Sequence, residues 1–213
     1  MGTILYALLQ GIPWTLAVTA TAFATGVMLG FPLCGLRVCR IKPVRLLAFA
    51  VILTLRAIPP IVWLFFIFFG LGGGWLTLSP FAAATLGLGL ITAAHMAEVY
   101  RGALTGIPAG QYEAALVLNL SARQRFFDVI LPQLVRIAIP AAATYAIGLL
   151  KDSAIASTLG VTDISAAAYQ QTQQTFQGLP VYSLAALLYI ALSVPVALLA
   201  RRLGDHLSRR IQR

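Results

Sequence analysis

The chain has few charged residues. Only 10% of its 213 residues are Asp, Glu, Lys or Arg, whereas 60% are apolar and the mean hydropathy is +0.89. A soluble domain carries about 25% charged residues, so this composition excludes a chain whose whole surface faces water. Apolar stretches long enough to cross the hydrocarbon core, which takes about 20 helical residues, recur along the sequence. We therefore predict an all-α integral membrane protein, in contact with lipid, that forms a single domain over residues 1–213.

Cysteine is scarce, and motifs that hold cofactors are missing. The two cysteines, Cys34 and Cys39, are too few for a metal site and are expected to pack as apolar side chains. The sequence has no G-x-x-x-x-G-K loop, so the chain cannot itself hold the phosphates of ATP. We expect no metal, no cofactor bound by this chain and no catalytic residue.

Acidic residues are fewer than basic ones, and the net charge is +9. No aromatic-basic surface accompanies the positive charge, so nucleic acid is not an expected partner. Positive residues accumulate on the cytoplasmic side of membrane proteins. Their placement therefore predicts a periplasmic N-terminus and a cytoplasmic C-terminus. Three clusters between apolar stretches hold 13 of the 15 basic residues: Arg37, Arg40, Lys42 and Arg45; Arg101, Arg123, Arg125 and Arg136; Arg201, Arg202, Arg209, Arg210 and Arg213.

Five apolar segments are predicted to cross the membrane. The second of them starts at the interruption marked by Pro59 and Pro60, because a double proline disrupts an ordinary helix. Residues 46–55 are expected to lie along the interface or to lead into that span, and Arg56 is expected to anchor at the inner interface. The predicted spans cover about residues 14–36, 58–71, 81–99, 134–150 and 181–200.

The polar stretch over residues 101–132 is too long for a hairpin turn. Residues 111–118 have helical spacing of apolar side chains, and Asn119 is suited to the left-handed position that ends a helix. Ser121 and Gln124 fit a capping box that opens a second helix, and Pro132 is expected to follow that helix. The sequence thus predicts two short helices, joined by a tight corner, on the cytoplasmic surface.

This stretch resembles the signature loop of bacterial ABC importer permeases. The family pattern is Glu-Ala-Ala, three residues, Gly, nine residues, Ile, one residue, Leu-Pro. Asparagine and valine replace the glycine and isoleucine here. The matching positions are Glu113, Ala114, Ala115, Asn119, Val129, Leu131 and Pro132.

Other segments narrow the resemblance. MAEVYRGALTGIPAGQYEAA, VILPQLVRIAIP and LLKDSAIASTLGVTDI look like polar amino-acid permeases of the histidine and glutamine uptake type. The resemblance covers roughly residues 50–170. It implies a type I ABC importer permease fold of five transmembrane helices with a cytoplasmic coupling helix, and a chain in the bacterial inner membrane.

The resemblance also implies partners and a mechanism. The coupling helix would dock on a dimer of a separate ATPase subunit, which uses ATP and magnesium, and the positions from Glu113 to Pro132 named above would carry that contact. A second permease subunit, either a copy or a sister chain, would complete the pathway. A periplasmic amino-acid-binding protein would deliver the substrate, and transport would follow alternating access.

Ionisable residues at membrane depth are costly and usually face a cavity. Glu98 and Arg101 are three residues apart, so they can form an ion pair or contact substrate. Lys151 and Asp163 could bind the carboxylate and ammonium of an amino acid, although Asp163 could equally cap a helix. His95 is expected to be a packing residue.

The sequence also leaves two other classes of function open. A secondary transporter or channel for small polar solutes would need ionisable residues deep in several spans and no coupling loop. A membrane scaffold would not need the loop's spacing. Both are disfavoured by the loop.

Overall fold

The structure is a computed structural model that describes residues 2–71 and 77–209. Its regular elements there are all helical, which confirms the predicted fold class. The α-helices are α1 (Gly2–Gln10), α2 (Ile12–Arg37), α3 (Lys42–Ala57), α4 (Pro60–Phe65), α5 (Pro80–Thr105), α6 (Ala109–Val117), α7 (Ala122–Gln124), α8 (Leu131–Asp152), α9 (Ile164–Thr175) and α10 (Gly178–Arg209). Two predicted cytoplasmic cations, Arg210 and Arg213, lie outside the described residues.

Four stretches of the described chain are single helices long and apolar enough to cross a membrane. They are Gly2–Arg37, Pro80–Thr105, Ala122–Leu159 and Gly178–Leu199. The pair Lys42–Ala57 and Pro60–Gly70, bent by 104°, supplies a fifth crossing if it counts as one span. The predicted segments 14–36, 81–99 and 134–150 lie within these stretches, and the segments 58–71 and 181–200 overlap the second half of the bent pair and the last stretch.

The α2 and α5 helices form the most tightly packed pair in the described chain. Gly26 on α2 faces Thr92 on α5, and a Cβ on Gly26 would overlap the Thr92 side chain. Gly30 lies in the same way against Met96, one turn further along. Small residues allow this close backbone approach between membrane helices. The α3, α4 and α8 helices pack on this pair.

The α3 helix ends where the sequence predicts a break. Ile58 is extended, with φ −89° and ψ 133°, as expected for a residue before proline. Pro59 and Pro60 lack backbone N–H groups, so they cannot bond the carbonyl oxygens of Leu55 and Arg56. The break therefore leaves the carbonyl oxygens of Leu55 and Arg56 without helical donors. Within a membrane, irregular backbone of this kind is tolerated only next to protein or a water-filled cavity.

One regular helix, α3, covers residues 42–57, which the sequence did not delimit. Arg56 lies in its last turn, and its other end, at Lys42, belongs to the basic cluster. Fourteen residues of helix separate Lys42 and Arg56 by roughly 21 Å along the axis. The Arg56 side chain is exposed, and its anchoring at the inner interface stays a prediction.

The prediction that a second short helix stops before Pro132 is wrong. The α7 helix continues through a π-helical segment, Arg125–Ile130, directly into α8. A proline inside a helix would lack a donor and clash with the preceding turn, and π turns recur where a helix accommodates such a disturbance. The corner is thus joined to the fourth span without an intervening loop.

Helices also occupy the stretch between α8 and α10, where the sequence indicates a helix only as the alternative role of Asp163 as a cap. A 3₁₀ segment, Ser153–Leu159, ends at Gly160, whose φ of 101° is left-handed. The α9 helix follows, and it contacts α1 and α10. The 3₁₀ segment and α9 together cover one end of the bundle.

Candidate functional site

The corner after α6 has the backbone geometry that the sequence predicts. Asn119 has φ 51°; its N–H donates to the Leu116 carbonyl at 2.9 Å, and the Leu120 N–H donates to the Ala115 carbonyl at 3.2 Å. These two bonds define a Schellman motif, which satisfies the last carbonyls of a helix. Asparagine is among the few residues besides glycine that adopt this conformation readily.

A capping box starts the helix after the corner. The Gln124 N–H donates to Ser121 Oγ at 3.3 Å, and the Ser121 N–H donates to Gln124 Oε1 at 3.0 Å. Hydrogen bonds therefore fix both the end of α6 and the start of α7, and each set of bonds spans about six residues or fewer. We call residues 109–124 the docking corner.

The docking corner is also tied to the two spans that flank it. Ala115 is buried, the Tyr112 hydroxyl donates to the Leu104 carbonyl of α5 at 3.4 Å, and Gln133 Nε2 of α8 donates to Gln111 Oε1 at 3.2 Å. A force applied to the corner would therefore reach both α5 and α8.

The outer face of the docking corner is exposed and apolar. Val117 is 85% exposed and Leu118 70% exposed, and Glu113, Ala114 and Asn119 are exposed beside them. A contiguous apolar patch rimmed by polar residues marks a protein interaction surface. The sequence-predicted residues of the corner thus lie together, whereas Leu131 and Pro132 lie at its junction with α8.

Glu98 forms an ionic triad with Arg101 and Arg37. Arg101 Nε donates to Glu98 Oε2 at 2.8 Å, which confirms the i,i+3 ion pair. Arg37 Nε lies 3.5 Å from Glu98 Oε1, without hydrogen-bond geometry, and its guanidinium lies 4.8 Å from the Phe49 ring centroid. The triad joins the end of α2 to the last third of α5, and Arg37 also contacts the middle of α3 through Phe49. Sequence reasoning missed Arg37 because the contact spans 61 positions between Arg37 and Glu98.

A second polar group, the mid-span cluster, lies deeper in the membrane layer. The ring centroids of His95 and Tyr145 are 4.7 Å apart, and the hydroxyls of Tyr145 and Thr92 are 3.4 Å apart. Arg56 and Asp152 lie within electrostatic range of these rings. They are exposed on the last turns of α3 and α8, and neither forms an ion pair within the described residues. The mid-span cluster therefore places aromatic and hydroxyl groups near a cation and an anion, beside the broken helix. Sequence reasoning treated His95 and Arg56 separately and did not single out Thr92 or Tyr145.

Asp163 is a buried helix cap. Its Oδ1 accepts a hydrogen bond from the Ala166 N–H at 2.8 Å, at the start of α9, and the side chain has no exposed area. The Ile164 N–H donates to Thr15 Oγ1 at 3.3 Å, which ties α9 to α2. The capping alternative is confirmed, and a role for Asp163 in substrate contact stays a prediction that these contacts do not support. Lys151 is exposed on the last turn of α8.

Burial raises the pKa of Asp163 to about 6, so the fold favours its neutral form. The resulting stabilisation is fully present below the ordinary carboxyl pKa of about 3.9 and is lost as the pH rises through 6. We expect the purified protein to lose about 1 kcal/mol of stability between pH 5 and pH 7.5 through this group. Thermal unfolding midpoints at the two pH values measure the effect.

The matched variants for this prediction are Asp163→Asn and Asp163→Ala. The asparagine keeps the cap acceptor without a titrating group, so its pH dependence should be smaller than that of the wild type. The alanine should also lack this pH dependence, and it should be about 1 kcal/mol less stable than Asp163→Asn at both pH values because the cap is gone. An Asp163→Asn protein with the full wild-type pH dependence would contradict the assignment.

The described chain is thus a bundle of membrane-spanning helices in which two spans are joined by a rigid, exposed docking corner, as in the membrane subunit of a transporter. The family of binding-protein-dependent transport system inner membrane components matches residues 22–213, and the chain belongs to that family. It is a multi-pass permease subunit of an ABC importer, which confirms the resemblance found in the sequence.

Relatives and solved structures agree with this assignment. The probable amino-acid permease protein YxeN of Bacillus subtilis (strain 168) is 32% identical over 195 residues, 90% of this chain and 87% of that protein. The octopine transport system permease protein OccM of Rhizobium radiobacter is 32% identical over 200 residues, 90% of this chain and 82% of that protein.

Among solved structures, a crystal structure of an amino acid ABC transporter with histidines superposes with a TM-score of 0.87, at 28% identity and over 94% of both chains. The inward-facing MetNI methionine ABC transporter shares the fold, with a TM-score of 0.79, 23% identity and coverage of 97% of this chain and 99% of that chain.

Proposed function

We propose that this permease carries polar amino acids into the cytoplasm, with energy supplied by a separate ATPase dimer that hydrolyses ATP with magnesium. The observation that carries the proposal is the docking corner, which is rigid inside and apolar outside. Relatives named as amino-acid and octopine permeases support the substrate class. A secondary transporter or channel would have no use for such a corner.

The membrane orientation follows from charge. The basic clusters near Arg40, Arg123 and Arg202 would lie in the cytoplasm, together with the docking corner, under the positive-inside rule. The N-terminus and α9 would then face the periplasm, where an amino-acid-binding protein would deliver substrate.

A second permease subunit, a copy or a sister chain, would complete the pathway. The α8 and α10 helices leave most of their apolar length exposed in this chain. A groove of about 650 Å³, lined by apolar side chains of α2, α5, α8 and α10, lies between them. Helices of the second subunit would cover this surface.

The mid-span cluster is the substrate contact that we favour. The guanidinium of Arg56 suits a carboxylate, because it offers paired donors, and Asp152 suits an ammonium. The free carbonyl oxygens of Leu55 and Arg56 would add acceptors, as the unwound backbone of broken helices does in other transporters.

The substrate contacts predicted from the sequence fit the site less well. Glu98 and Arg101 are already engaged with each other. Lys151 is exposed and therefore available, and it stays a candidate. Asp163 is buried as a cap.

The test of the ATPase coupling is the double substitution Val117→Asp and Leu118→Asp in the complex reconstituted in proteoliposomes. Burying two unpaired carboxylates at the contact is costly, so we expect the ATPase to dissociate and ATP-dependent uptake to fall on the order of a hundredfold. Copurification of the ATPase and uptake of radiolabelled amino acid measure this.

The matched control is the pair Gly102→Asp and Thr105→Asp, because it adds the same two charges at exposed positions near the end of α5, outside the docking corner. The control should leave ATPase binding and uptake near wild type. Uptake that persists in the Val117→Asp, Leu118→Asp variant, or that needs no ATP in the wild type, would contradict the proposal.

A further inference from the structure

The connection between α2 and α3 carries exposed basic residues. Arg40, Lys42 and Arg45 are all exposed, and we call them the basic belt. Arg37, next to them, is engaged with Glu98. The α3 helix begins here without a side-chain cap, so its first free backbone N–H groups add positive potential.

The basic belt has no acidic partner within the described residues. The ion pairs found there both involve Glu98, with Arg37 and with Arg101. The sequence has no Asp or Glu before Glu98, so no carboxylate is near in sequence either. Three unpaired cations close together create a positive potential that attracts an anion from outside the chain.

An exposed apolar strip starts directly beside the basic belt. Leu46 is 63% exposed, Leu47 68% and Leu53 53%, and with Ala50 they follow the spacing of one helix face. The opposite face of α3, with Ala48 and Ile52, is buried against the bundle. Between the cations, Val38 and Ile41 are also exposed, at 47% and 58%.

We propose that the basic belt and this strip form a binding site for one anionic phospholipid of the adjoining leaflet. The headgroup phosphate lies against Arg40, Lys42 and Arg45, and the acyl chains follow Leu46, Leu47 and Leu53. Basic clusters next to a transmembrane helix attract anionic lipids, and long basic side chains place their charge at the headgroup level while their stems lie in the apolar layer.

A lipid explains the surface better than a water-soluble protein partner does. A partner in water would match the three cations, but it would leave the apolar strip against the acyl layer, where only lipid or another membrane helix can lie. The apolar side chains between the cations place the same surface at the boundary between headgroups and acyl chains. The inference does not depend on which solute the permease carries.

The test is lipid binding to the assembled importer, measured by native mass spectrometry in detergent. The probes are phosphatidylglycerol and phosphatidylcholine with identical acyl chains. The wild type should bind phosphatidylglycerol more tightly, by about fivefold for each basic residue involved. The Arg40→Gln, Lys42→Gln, Arg45→Gln variant should lose on the order of tenfold or more of that preference.

The matched control is Arg40→Lys, Lys42→Arg, Arg45→Lys, which keeps the charge and should keep the preference. If the neutral variant does not assemble, Arg45→Gln alone and a salt titration of the wild type decide the question: weaker phosphatidylglycerol binding in each supports the site. An unchanged preference in the neutral variant, or in Arg45→Gln, would overturn it. Loss of the ATPase with lipid preference intact would instead assign the basic belt to that subunit.

Discussion

Replacement of Asn119 by valine is expected to lower coupled transport by about tenfold or more while the protein still inserts in the membrane. Asn119 has φ 51°, and a left-handed conformation costs an ordinary L-residue roughly 1–2 kcal/mol, more for a β-branched one. Valine would therefore open the Schellman motif that holds the Leu116 and Ala115 carbonyls. The docking corner would no longer present one rigid surface to the ATPase.

We expect uptake and substrate-stimulated ATPase activity to fall on the order of tenfold or more, which corresponds to about 1.4 kcal/mol of lost coupling. Both activities are measured on the complex in proteoliposomes. Asn119→Gly is the matched control, because glycine adopts the same backbone conformation without cost. Normal uptake in Asn119→Val would show that the corner's geometry does not carry the coupling.

Replacement of Arg56 by glutamine is also expected to lower uptake strongly. A charged residue within a membrane segment usually has a function or a partner, and the described chain forms no ion pair with Arg56. If Arg56 binds the substrate carboxylate, its loss removes a charge-assisted contact worth about 1.5–3 kcal/mol. Uptake should then fall on the order of tenfold to a hundredfold.

The Arg56 prediction distinguishes substrate contact from a structural role. Arg56→Lys keeps the charge but not the paired donors, so we expect partial uptake with a raised KM. Both variants should retain the ATPase on copurification, because Arg56 is far from the docking corner along the chain. An Arg56→Gln protein with wild-type KM and uptake rate would rule out the contact.

The sequence predicted the docking corner closely because its determinants are local. Asn119 at a helix end and Ser121 with Gln124 form backbone interactions across fewer than six residues, and turn chemistry of this kind is readable from spacing. The spans were predictable for a similar reason, since hydropathy reports each one separately.

The errors arose where distant elements decide the outcome. The sequence treated Arg56 as an isolated basic residue, whereas the structure places it in the last turn of a regular helix, directly before the break at Pro59. The helix continues through Pro132 by way of the π-helical segment Arg125–Ile130, which no residue pattern predicted. The mid-span cluster and the Arg37 contact need α2, α3, α5 and α8 to be packed together before they exist.

The close contact of Gly26 with Thr92, and of Gly30 with Met96, divides the permease into a part that moves as one body and a part that can rearrange. The Thr92 and Met96 side chains lie against glycine backbone with no spare room, so we expect α2 and α5 to keep their relative position during a transport cycle. The exposed α8 and α10 have no such contacts along most of their length. Alternating access in this chain would then be a change in the packing of α8 and α10 around the fixed α2–α5 pair. The docking corner is attached to both α5 and α8, so it connects the fixed part to the part that rearranges.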